Sequence, residues 1–113
     1  MNTINELIRV LEEMSIMCFV SNAELKEADT KKRKEIAKTY LTKANDLEAK
    51  LKSLELNEKD SQHIGLLRDA FRNLSKFYSN ISKGRTVLAY QNGLMMQKKV
   101  ADYSKKKGIG KGG

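Results

Sequence analysis

A chain of 113 residues with 22 Lys+Arg against 14 Asp+Glu, net charge +8, has room for one small domain and a surface that invites acidic partners. It has no proline or tryptophan, and it is 40% hydrophobic and only 6% aromatic. Such material suits polar-faced helices and excludes an all-β domain. The single cysteine, Cys18, excludes an internal disulfide and a Cys-based zinc site and points to a reducing compartment, the cytoplasm. No stretch approaches the ~20 apolar residues of a membrane span, and Glu6, Arg9, Glu12 and Glu13 stand where a secretory signal would be apolar.

In chain order, Thr3-Ile-Asn-Glu6 reads as a capping box that starts a first helix. Leu7, Leu11, Met14, Cys18, Ser21, Leu25 and Ala28 then recur at steps of four and three, one stripe of a helix over 3–28. The run Ile16 to Val20 is apolar all round, so neighbours are expected on more than one face. At Asp29 to Lys34 the stripe stops in a charged segment. Asp29 or Thr30 caps a second helix over 31–54 with Ile36, Ala37, Tyr40, Leu41, Ala44, Leu47, Leu51 and Leu54 as its apolar face. With no Gly or Pro at the junction, one bent helix over 3–54 is the alternative.

Asn57 caps a third helix, with Asp60 in its first turn. Its stripe runs through Ile64, Leu67, Phe71, Leu74, Tyr78, Ile81, Leu88 and Met95 and is interrupted at Gly84, where a kink or joint is expected. The expected fold is therefore all-α: an antiparallel helical hairpin plus a long third helix over 58–103, kinked at Gly84, making a three- to four-helix bundle. Residues 1–103 form the single domain, and 104–113, rich in lysine and glycine, form a disordered basic tail.

Catalytic chemistry has little to work with. The sole histidine, His63, lies among polar neighbours, and Cys18 sits in an apolar stripe. No Glu-x-x-His pairs are present for a metal in a helical bundle, and the tail Lys105 to Gly113 has neither a preceding strand nor a Ser/Thr after its last lysine, as a phosphate loop needs. No enzyme, cofactor or metal is expected. Binding is the better prospect. Val87, Leu88, Tyr90, Leu94, Met95, Met96, Val100 and Tyr103 make the last helical segment apolar nearly all round. One core can absorb only one of its faces, so the others are expected to meet a protein partner or a second copy of the chain. Met95 and Met96 suit an adaptable surface for a helical ligand. Secondary basic contacts are Lys31, Lys32, Arg33 and Lys34 and, at the other end, Lys105, Lys106 and Lys107. These also fit nucleic-acid phosphates, though without a helix-turn-helix pattern or interleaved aromatics.

The layout resembles the FlgN-type flagellar export chaperones of type III secretion. It has a first helix closing on Ala23-Glu-Leu-Lys-Glu-Ala-Asp29, a second beginning directly after, then a polar break. A long C-terminal helix follows with Asn92-Gly93-Leu94, closing on Tyr103 with glycine shortly after. The resemblance implies a non-enzymatic cytoplasmic chaperone that holds helical terminal segments of hook-associated proteins through residues 87–103. The readings set against it are a small basic nucleic-acid-binding protein and a helical adaptor or assembly protein.

Overall fold

The computed structural model describes residues 4–108; the capping box at Thr3 and the lysine at 111 lie outside them. Five helices follow in order: α1 (Ile4–Glu27), α2 (Thr30–Ser53), α3 (Glu58–Ser61), α4 (Ile64–Ser82) and α5 (Thr86–Lys107). The chain is all-α among the described residues, with α1, α2, α4 and α5 as long elements and α3 a single turn.

The junction of α1 and α2 is a turn, not a bend. Asp29 adopts extended backbone and its carboxylate accepts the Lys32 N–H at 2.8 Å, an N-cap that starts α2 without any need for glycine. Asn57 caps α3 in the same way, accepting the Asp60 N–H at 2.7 Å.

The expected long third helix is three elements. His63 takes φ 65 and separates α3 from α4, and Gly84, at φ 75, separates α4 from α5. Left-handed backbone ends a helix, and glycine adopts it at little cost. The joint at Gly84 is a full reversal: Asn80 and Asn73 of α4 both bond Asn92 of α5, and Asp69 meets Lys99 at 3.7 Å. Lengthening separation on α5 with shortening position on α4 is the register of an antiparallel pair.

α1 packs on α2, α2 on α4 and α4 on α5. Lys50 of α2 pairs with Glu13 of α1 at 3.4 Å, and Tyr40 of α2 stacks on Tyr78 of α4 with centroids 5.6 Å apart. The core joins Leu7, Val10 and Met14 to Tyr40, Ala44, Leu47, Leu51, Leu67, Phe71, Leu74, Tyr78 and Tyr103. Because the chain reverses at Gly84, Leu88 and Met95 leave the stripe that Leu67, Phe71, Leu74 and Tyr78 continue into the core, and both are exposed.

Three further expectations need correction. Ser104 to Lys107 are helical, not tail: α5 runs on until Gly108 turns left-handed at φ 73, and Lys107 Nζ donates to the Lys59 carbonyl at 2.8 Å. The rest of the expected tail lies outside the described residues. Tyr103, expected at a partner surface, is 2% exposed and belongs to the core. The run Ile16 to Val20 is not flanked all round: Ile16 and Phe19 are largely exposed, at 64% and 78%, because only the side carrying Met17 and Cys18 packs against the core.

Candidate functional site

α1 and α5 both stand beside α4 without packing closely on each other, and a groove opens between them. It encloses about 240 Å³ and takes its floor from Leu74, Phe77 and Tyr78 of α4. Cys18, Ser21 and Asn22 form one wall, Tyr90, Leu94, Met96 and Gln97 the other. Gly93 also lines it, and a Cβ there would stand 3.5 Å from the Phe77 ring, an ordinary van der Waals contact between α5 and α4.

The helical period continues both walls beyond the residues that line the groove. On α1, Ile4, Ile8, Leu11, Ser15, Cys18 and Asn22 recur at steps of four and three; on α5, Val87, Tyr90, Leu94, Gln97 and Ala101 do the same. Ile4, Ile8, Val87, Tyr90 and Leu94 are exposed. Of the two stripes, Cys18, Asn22, Tyr90, Leu94 and Gln97 line the groove, and among the described residues its lining comes from α1, α4 and α5 alone.

The expected partner-binding residues divide accordingly. Tyr90, Leu94 and Met96 line the groove, and Val87 continues its stripe. Val100 is half-buried against the core and Tyr103 is inside it. Leu88 and Met95, seven residues apart on another side of α5, are exposed but do not line the groove. The α1 wall was missed by sequence reasoning, which assigned Cys18 and Ser21 to the core stripe. Ser21 is indeed buried, bonded to Tyr78 OH at 2.6 Å, whereas Cys18 is only partly so. The off-phase Ile4 and Ile8 were the available signal of a second apolar stripe.

Electrostatically the groove is quiet. Burial pushes the Cys18 thiol above its usual range, which keeps it protonated and poorly nucleophilic at neutral pH. Burial likewise holds the Tyr78 phenol well above its ordinary range, only partly countered by the Ser21 hydrogen bond. Asn22 and Gln97 supply amide donors and acceptors, one on each wall. Among the described residues no group of His, Cys, Asp and Glu is arranged to hold a metal ion, and no helix is long and apolar enough to cross a membrane.

The expected basic contacts are scattered. Lys32 faces a separate hollow with Glu24, Glu27 and Lys43, while Arg33 turns inward and donates Nε to the Leu25 carbonyl at 2.9 Å. Lys105, Lys106 and Lys107 form the last turn of α5 at the opposite end of the bundle. Comparison of the chain with protein-family models, curated proteins and solved structures returns no match in any of the three.

Proposed function

We propose that this protein is a non-enzymatic helix-binding chaperone that holds an amphipathic helical segment of a partner protein between α1 and α5. The observation that carries this reading is the groove between α1 and α5, with Tyr90 and Leu94 exposed on one wall and half-buried Cys18 and exposed Asn22 on the other. A helix laid there would complete the bundle. Its apolar face would cover residues that water now touches, and Asn22 and Gln97 would bond its polar edges. The FlgN-type layout supplies the setting: a cytoplasmic export chaperone whose clients are the helical terminal segments of hook-associated proteins. Capture in the groove would keep those segments from self-associating before export.

The test is titration calorimetry of the purified chain with synthetic terminal segments of hook-associated proteins. The double substitution Tyr90→Ser with Leu94→Glu removes the α5 wall and should abolish binding, while Leu88→Ser with Met95→Ser, outside the groove, should leave it within a few-fold. Equal losses from both pairs, or no binding by the unaltered chain, would sink the reading.

A further inference from the structure

The end of the bundle where α1 turns into α2 and α4 into α5 is electrostatically two-sided. Toward α1, Glu24 and Glu27 alternate with Lys32 and Lys43 around a hollow of about 480 Å³. Toward α4 basic side chains outnumber acidic ones. Lys34 lies against the α4–α5 turn, its Cε 3.4 Å from where a Gly84 Cβ would stand. Lys31, Lys34 and Lys38 follow at i, i+3 and i+7 on one ridge of α2, and Lys83 and Arg85 flank Gly84. The fold thus gathers five cations from two distant segments of the chain. None of them enters an ion pair among the described residues. Asp29 is occupied as the α2 cap, and Glu35 makes no ion pair with them. Beside them, the first turn of α5 exposes Val87 at 72% and Leu88 at 48%.

We propose that this end of the bundle docks on an anionic phospholipid surface, with Lys31, Lys34, Lys38, Lys83 and Arg85 meeting headgroup phosphates while Val87 and Leu88 enter the headgroup layer. A cluster of this size is what an anionic leaflet attracts, lysine stems reach past neighbouring surface to place their ammonium groups, and the Arg85 fork suits a phosphate. Duplex or single-stranded nucleic acid shares the phosphate chemistry. It would leave the two aliphatic side chains without a role. Val87 also continues the α5 stripe of the groove, whereas Leu88 and the five cations lie outside the groove lining.

Vesicle flotation with the full chain tests this, using phosphatidylcholine alone and phosphatidylcholine with phosphatidylglycerol, at low and physiological salt. Binding is expected only to the anionic vesicles, weakening with salt. Lys34→Glu with Lys83→Glu should lower the partition coefficient at least about tenfold, with helical circular dichroism unchanged because both side chains are exposed. Val87→Ser with Leu88→Ser should weaken binding and leave its salt dependence in place. Lys105→Glu with Lys106→Glu, at the opposite end, should have much the smaller effect. The proposal is overturned if anionic vesicles are not bound, if the Lys105/Lys106 reversal matters as much as the Lys34/Lys83 reversal, or if duplex DNA is bound through Lys34 and Lys83 more tightly than vesicles.

Discussion

Ser21 Oγ and Tyr78 OH lie 2.6 Å apart, joining α1 to α4 across the bundle at residues that are 1% and 0% exposed. The two partners are not equivalent. Ser21 Oγ also reaches the Cys18 carbonyl at 3.3 Å, so Tyr78→Phe leaves the serine a fallback. Ser21→Ala strands a buried phenol. Leaving a buried polar group unpaired costs about 1–3 kcal/mol, so Ser21→Ala is expected to destabilise more than Tyr78→Phe in urea unfolding. The double variant should lose less than the sum of the singles, since each change makes the other's partner dispensable.

The two glycines around α5 respond oppositely to alanine. Gly84 sits at φ 75, where a Cβ is strained, and Gly84→Ala should cost about 1 kcal/mol. Gly93 is helical and a Cβ there would meet Phe77 at 3.5 Å, an ordinary contact. Gly93→Ala should therefore recover about 0.5–1 kcal/mol of helix propensity. Thermal unfolding of the two variants decides it: a destabilised Gly93→Ala would mean that α5 lies closer to Phe77 than described.

Much of the fold was legible because its signals are local. The Asp29 and Asn57 caps, the apolar stripes of α2 and α4 and the break at Gly84 each depend on residues within a few positions of one another. The reversal at Gly84 was not legible, since a kink and a turn leave the same glycine and the same stripe. What distinguishes them is Asn92 meeting Asn73 and Asn80, contacts between segments that periodicity treats separately. That reversal also decided the site. It turned Tyr103 inward and Leu88 and Met95 away from the groove, and it set Lys83 and Arg85 beside Lys34. His63 gave no signal of its left-handed backbone, because it carries neither the glycine nor the asparagine that usually marks such a turn.

The Asn92 bridge carries its own consequence. Asn80 Nδ2 donates to Asn92 Oδ1 at 2.7 Å, and Asn92 Nδ2 donates to Asn73 Oδ1 at 3.3 Å, all partly buried between α4 and α5. Asn92→Ala cuts both bonds and should cost about 1–2 kcal/mol, roughly the sum of two net hydrogen bonds. Asn80→Ala cuts one and should cost about half as much. Equal losses from the two variants in chemical denaturation would show that Asn92 does not act as a bridge.

Alkaline stability should be set by the buried phenols. Burial raises Tyr78 strongly and Tyr103 as well, the latter helped by the Asp60 charge, while an unfolded tyrosine titrates near pH ~10. The folded chain therefore keeps protons that the unfolded chain releases. The phenols' contribution to stability is fully present below about pH 10 and falls as pH rises beyond it, by up to about 1.4 kcal/mol per pH unit for each such phenol. Tyr78→Phe starts from lower stability but removes one titrating group, so its loss between about pH 10 and 12 should be shallower. Urea midpoints of both proteins across that range give the two slopes, and parallel slopes would show that Tyr78 ionises as readily in the fold as outside it.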